Sequence, residues 1–357
     1  MSVLRASLAL ALLVGPVAVA SAEEPVGQGA PGPASEAGAG TAREAGRPVD
    51  GQPADGMAGT DDDPVGGPGA DGAAAPRRRG PPEGLLLRLD GRAETALEAR
   101  FDDRSTRGRL RHERLGLTFA PGWGLADGAG LVFVEAAAEW TNYDLGARGL
   151  APGAPGGVTL DDAWQLDLGV GARLRLSERW GLLLLGGVRG AAEDGRLSGD
   201  ALTARAIALA EWTVTDRLTL GFGLLFRTRL EENPLPILAL GFDWRPIDEL
   251  RLRVRGPGVE LSWLPSPEVE LTLAARWELR EYRLARDHPV PRGVLRDRHV
   301  PVELRLAWQP IFPVLLEARA GVSLGRRLEL DDERGRRVGE GDLRPQPFVG
   351  LAFTLRF

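Results

Sequence analysis

The chain has 357 residues, a formal net charge of −6 and no cysteine, and all 44 of its basic residues are arginine. Without cysteine, disulfides, thiolate metal sites, cysteine nucleophiles and a lipid anchor on an N-terminal cysteine are excluded. Residues 23–83 hold 11 acidic side chains against 5 arginines, so the remainder is close to neutral and lacks the basic face that general nucleic-acid binding requires.

Met1–Ala22 reads as an export signal: Arg5, an apolar run from Leu8 to about Val19, and Ala20-Ser21-Ala22, with cleavage expected before Glu23. The apolar run is too short for a spanning helix, which needs ~20 residues. Residues 23–83 are nearly all Gly, Ala, Pro, Asp and Glu. Such a segment cannot bury enough surface to offset its ordering entropy, so it is expected to be a disordered acidic linker. Asp61-Asp62-Asp63 reads as solvated charge and Arg77-Arg78-Arg79 as a solubilising boundary.

From Gly84 to Phe357 the apolar residues recur with period two. Along Trp164–Leu176 every even position is apolar, and along Val269–Leu279 every odd one is. A strand places such a ladder on one face, whereas a helix scatters it around a cylinder. The ladders reach the 9–11 residues that a tilted strand needs to cross a bilayer. Fourteen strands are expected, at about 92–101, 112–120, 130–143, 162–176, 180–190, 201–214, 218–229, 236–244, 249–255, 258–263, 268–281, 299–308, 313–325 and 346–357. The pair 249–255 and 258–263 is short, and the count falls to twelve if it forms a lip. Connections at 177–179, 215–217, 246–248, 264–267 and 309–312 are tight; those at 144–161, 191–200, 230–235, 282–298 and 326–345 are mostly longer and polar. That alternation is the asymmetry of an outer-membrane barrel. The expected fold is therefore all-β, a transmembrane antiparallel up-and-down β-barrel of 12–14 strands.

Trp180, Trp212, Trp244, Trp263 and Trp308 fall at the turn ends of these strands, and Trp140, Trp164 and Trp277 towards the loop ends. Two girdles at headgroup level follow from the amphipathic indole. Val349–Phe357 alternates to the final aromatic, with Phe353, Leu355 and Phe357 on one face. It resembles the C-terminal strand by which bacterial outer-membrane barrels are recognised for assembly. Trp244-Arg245-Pro246, Leu250-Arg251-Leu252-Arg253, Gly256-Pro257 and Glu281-Tyr282-Arg283-Leu284 resemble an uncharacterised family of exported bacterial barrels, a domain of unknown function, over roughly 90–357. The resemblance implies the fold and no site residues.

With the apolar parity towards lipid, the opposite parity carries Arg173, Arg175, Arg205, Arg227, Arg251, Arg253, Arg255, Glu270, Arg276, Glu303, Arg305, Glu317 and Arg319 as the expected lumen lining. Arg251, Arg253 and Arg255 form one row, read as an anion track or, in preference, as charges neutralised by Glu260 and Glu270. The chemistry of catalysis is thin. Ser323 with His299 is a weak nucleophile–base pair, and His288 with His299 a weak metal site. No cofactor, metal or enzymatic activity is expected.

The expected function is a passive pore or uptake channel in the outer membrane of a Gram-negative-type bacterium, reached by secretory export. Alternatives are a closed structural or surface-interaction barrel and, as a minor one, a lipid-modifying enzyme. The expected partners are outer-membrane lipids, lipopolysaccharide and the barrel assembly machinery, and nucleic acid is not among them. The solute and the oligomeric state are not readable.

Overall fold

The computed structural model describes residues 84–102, 106–148, 150 and 157–357. The expected export signal (1–22) and linker (23–83), with Asp61-Asp62-Asp63 and Arg77-Arg78-Arg79, lie outside the described residues.

The period-two ladders form strands β1 (Gly84–Arg100), β2 (Arg107–Gly124), β3 (Gly130–Arg148), β4 (Val158–Arg175) and β5 (Trp180–Glu193). They continue as β6 (Leu202–Thr215), β7 (Leu218–Arg229), β8 (Glu232–Ile247), β9 (Leu250–Arg255) and β10 (Gly258–Ser266). The last group is β11 (Val269–Arg276), β12 (Glu278–Arg283), β13 (Val294–Ile311), β14 (Val314–Asp331), β15 (Arg337–Asp342) and β16 (Gln346–Arg356). Successive strands pair antiparallel, and β16 lies between β14 and β1, so the sheet closes. Leu87 and Phe357 exchange both backbone hydrogen bonds at 2.9 Å, tying the first strand to the last.

β11 and β12 are two parts of one stave, interrupted at Trp277, and β15 is a flap on the far end of β14. The described residues therefore form fourteen staves, and the short β9 and β10 are full members of the wall. The β2–β3, β4–β5, β6–β7, β8–β9, β10–β11 and β13–β14 connections and the described termini meet at one rim, the turn end. The remaining connections meet at the other, the loop end.

The faces follow the parity. On β4, Trp164, Leu166, Leu168 and Val170 are exposed at 40%, 41%, 58% and 56%, as lipid-facing side chains should be. Trp123 joins Trp180, Trp212, Trp244, Trp263 and Trp308 on the turn-end girdle, because β2 runs to Gly124 rather than stopping at 120. Trp180 and Trp212 stack there with ring centroids 5.9 Å apart. Together the apolar belt and the indole ring make this an outer-membrane-type barrel.

The loop end departs most from the sequence expectation. β3 extends to Arg148, β13 begins at Val294 and β14 runs to Asp331, so much of the polar loops expected at 144–161, 282–298 and 326–345 is strand. The connection expected at 230–235 is a tight turn at Leu230-Glu231, with Glu231 at φ 60°. These segments look like loops because they are rich in charge, but the charges pair across strands, as Arg298 does with Glu329 at 2.6 Å.

Loop-end closure is by a narrower ring. β12 leaves the line of β11, pairs along β13 from Glu278↔His299 to Arg283↔Val294, and meets β5 in parallel at Arg283↔Ala192. β15 reaches the end of β1 through Phe101↔Leu343. The loop-end tier thus runs through β1–β5 and β12–β16 and bypasses β6–β10. Its interior is a packed core that includes Leu110, Tyr143, Leu160, Tyr282, Leu295 and Leu330. All six residues of β12 are buried, which makes this strand a crossbar over the wider cylinder below.

Candidate functional site

Beneath the core lies a layer of buried charge. Glu139 on β3 takes Arg280 of the crossbar, Arg92 of β1 and Arg114 of β2, the last at 3.5 Å. Asp297 holds Arg326, and His299 stands between Asp297 and Glu278 with 3.4 Å on each ring nitrogen. A guanidinium taken out of water persists only where several acceptors meet its fork, because desolvating an ion costs several kcal/mol. On the other face of β12, Glu281 receives Arg296 at 2.8 Å and Arg229 at 3.4 Å. Arg283 donates to Glu231 at 2.6 Å and to the Asp200 carbonyl at 2.8 Å. The crossbar is therefore pinned by ion pairs on both of its faces.

Between this layer and the turn end, the inward residues of β9–β14 form a linked belt. Arg251 grips Asp243 with both nitrogens of its fork, with Nε at 2.8 Å, and Arg253 reaches Asp243 at 3.6 Å and Glu260 at 3.1 Å. Glu260 also takes Arg305 at 2.6 Å. Glu303 then joins Arg305 at 3.2 Å, Arg276 at 3.8 Å and Arg319 at 3.9 Å. Arg319 also meets Glu94 at 3.1 Å, and Arg276 meets Glu278 at 2.5 Å.

Other sequence-nominated residues stand apart from the belt. Arg173 bonds Glu211 at 2.8 Å and stays 45% exposed, with Arg175 exposed beside it at the turn end. Arg205 faces Glu135 at 3.5 Å and Arg227 faces Glu281 at 3.8 Å. Glu317 lies opposite Ala307 and Ala352. Phe353 and Phe357, 38% and 63% exposed, face outward with Leu355 between them, half-buried.

In the arginine row of β9 the neutralisation is incomplete. Glu260 serves Arg253, but Glu270 accepts from Thr272 Oγ1 at 3.1 Å instead. Arg255 is exposed, and no carboxylate among the described residues reaches it within 4 Å. Its register partners on both sides are glycines, Gly241 and Gly258.

Sequence reasoning missed the opposite wall. The outward faces of β5–β8 show Leu184, Leu224, Phe226, Leu238 and Leu240, exposed at 40–65%, so the alternate positions point inward. Those positions carry Leu183, Leu185, Ile207, Leu209, Leu225 and Ile237. Leu185 packs with Leu131 and Phe133 of β3, with Leu183 and Ile207 against them. Barrel interiors are normally polar, so the β5–β8 wall of this lumen carries an apolar patch, among Arg189, Arg205, Glu211 and Arg227 on the same parity, opposite a charged wall. The signal was in the runs Leu182–Leu185 and Leu224–Phe226, apolar on both parities.

The nominated nucleophile and base are not joined. Ser323 is buried on β14 opposite Pro301 and Gln346, and among the described residues no hydrogen bond joins it to His299. His288 is engaged elsewhere, with Nε2 3.2 Å from the Thr159 carbonyl. Among the described residues, no group of three or more His, Asp or Glu is placed to hold a metal ion.

Several solved structures share the barrel form at low similarity. An outer-membrane channel from Pseudomonas putida F1 is 8% identical, covers 80% of this chain and all of its own, with a TM-score of 0.43. The P. putida toluene transporter TodX is 11% identical over 78% of this chain and 91% of its own, at 0.41. The KdgM porin is 8% identical over 76% and 99%, at 0.32. No curated protein matches the chain in sequence. A family model does, over residues 155–342, a span that holds every segment from Trp244-Arg245-Pro246 to Glu281-Tyr282-Arg283-Leu284 and most of both lumen walls. The chain belongs to that family, described as Domain of unknown function (DUF6268).

Proposed function

We propose that this barrel is a passive pore or uptake channel of a Gram-negative-type outer membrane, reached by secretory export. Its lumen opens towards the turn end and is restricted at the loop end by the crossbar. The observation that carries this reading is the wide lower tier. Fourteen staves surround charged side chains that keep contact with solvent, Arg253 at 21% and Glu260 at 23% exposure among them. A structural barrel of this girth has no need to solvate its interior. The outward aromatic ladder of β16 would serve the assembly machinery, and the girdles would meet outer-membrane lipids and lipopolysaccharide.

The packed loop-end tier favours a second reading, a closed structural barrel. Reconstitution into planar bilayers separates the two. Discrete conductance steps from folded protein support the channel. Their absence, in wild-type protein and in variants that unpin β12, leaves the closed barrel. A lipid-modifying enzyme lacks a joined nucleophile and base among the described residues.

A further inference from the structure

We infer that the lower lumen binds an amphipathic monoanion, a carboxylate on an apolar body, with its head on Arg255 and its body on the apolar side chains of β6–β8. Three features converge on this class of ligand. Arg255 is the cation of its row left without a carboxylate within 4 Å among the described residues, while Arg251 and Arg253, four and two residues away, are neutralised by Asp243 and Glu260. It also stands where the charged wall meets the apolar one. Its neighbour on β8 is Gly241, and next to that on β7 is Gly221, so on that side its register neighbours carry no side chains. A side chain at position 241 is excluded, since a Cβ there would lie 2.6 Å from the Val254 carbonyl oxygen. Beyond these glycines come Glu211, which Arg173 holds, and beside it Leu209, Leu225 and Ile237, half-buried apolar side chains on the inward parity.

The pairing of features selects among solutes. Leu209, Leu225 and Ile237 are only half-buried, and covering their remaining surface with an apolar body is favourable. A single free guanidinium favours one anionic head, and its planar fork matches a carboxylate. A small inorganic anion would leave the apolar wall uncovered, and a sugar would leave both features unused. A cationic amphiphile would be repelled by Arg255. As a transport site this assignment rests on the channel reading, whereas as a binding site it is measured separately.

The test uses the full chain in lipid nanodiscs, titrated with radiolabelled decanoate against protein-free nanodiscs, with folding of each variant checked by heat-shifted gel mobility. Saturable decanoate binding is expected, weakened at least ~10-fold in Arg255→Gln by loss of the charge-assisted contact. Shortening the chain to hexanoate should weaken binding by up to about fourfold per methylene. Arg255→Glu should reverse the preference, releasing decanoate and taking up decylammonium. Arg344→Gln, whose arginine is paired with Asp102 at the loop-end rim away from the site, should leave binding unchanged. Equal binding of decanoate and decylammonium by the wild type, unaltered affinity in Arg255→Gln, or displacement of decanoate by acetate at equal concentration would each overturn the assignment. Decanoate binding without conductance in planar bilayers would sink the channel and leave the site standing; conductance without decanoate binding would do the reverse.

Discussion

Leu168 and Gly169 are neighbours in the chain and face different solvents. Leu168 is 58% exposed on the lipid face, whereas a Cβ on Gly169 would lie 3.7 Å from Nη2 of Arg205 in the interior. Leu168→Arg is expected to cost about 2–4 kcal/mol if it lies near the bilayer midplane. Gly169→Glu should be tolerated, since it places a carboxylate beside an arginine. Folded fractions read by heat-shifted mobility check this, and equal damage from both would contradict the face assignment. Other glycines are needed for the space they leave. A Cβ on Gly91 would come 2.3 Å from the Phe353 ring, an aromatic lying over a strand glycine as in aromatic rescue. Gly91→Val should displace the ring and destabilise the β1–β16 seam by about 1–3 kcal/mol, measured as a lower urea midpoint.

At the scale of elements, β12 is the strand whose behaviour differs from its neighbours. It is six residues long and held largely by arginines. One anchor lies outside the spanning strands, in the short 3-10 turn Gly199–Ala201. There the Asp200 carboxyl is lowered to about 2, first by the Ser198 hydroxyl and then by Arg292. A carboxylate held below its ordinary value stabilises the fold at neutral pH, and that contribution is lost as the pH falls from the ordinary aspartate range through the lowered value. Amide exchange in residues 278–283 should therefore rise between about pH 4 and 2, and Asp200→Asn should flatten that rise. Glu139→Gln acts from the other face, where it removes the carboxylate shared by Arg92, Arg114 and Arg280. Loss of one partner from a buried ionic cluster costs about 3–5 kcal/mol, so a clear fall in the urea midpoint is expected.

For the whole molecule, the two tiers imply that conductance depends on the crossbar. Wild-type protein should conduct in small or infrequent steps. Arg283→Ala, which releases Glu231 and the Asp200 carbonyl, should raise conductance or open probability without loss of the folded band. Unchanged conductance in Arg283→Ala would show that β12 is fixed structure and no restriction. The short β9 wall, six residues or ~20 Å at about 3.3 Å per residue, leaves the loop-end rim lowest where the crossbar departs.

The strand ladders and the faces they turn to lipid were legible in the sequence, because a side chain's face in a strand follows from its parity alone, whereas their number was left at twelve or fourteen until the short β9 and β10 took their place in the wall. The girdle of Trp180, Trp212, Trp244, Trp263 and Trp308 was legible for the same reason, and Trp123 was missed only because β2 was read too short. What escaped depends on partners distant in the chain. Arg283, Arg296 and Arg326 look like loop residues until other segments of the barrel supply their counter-charges. Leu183 and Ile207 look surplus to the lipid face until closure shows that they line a lumen. Local period thus determined the barrel and its orientation to the membrane, while only the tertiary structure decided that β12 crosses to β5 and that Arg255 is left free. Charge neutralisation and apolar contact inside a closed sheet are set by which strands meet, and that is a property of closure rather than of any one segment.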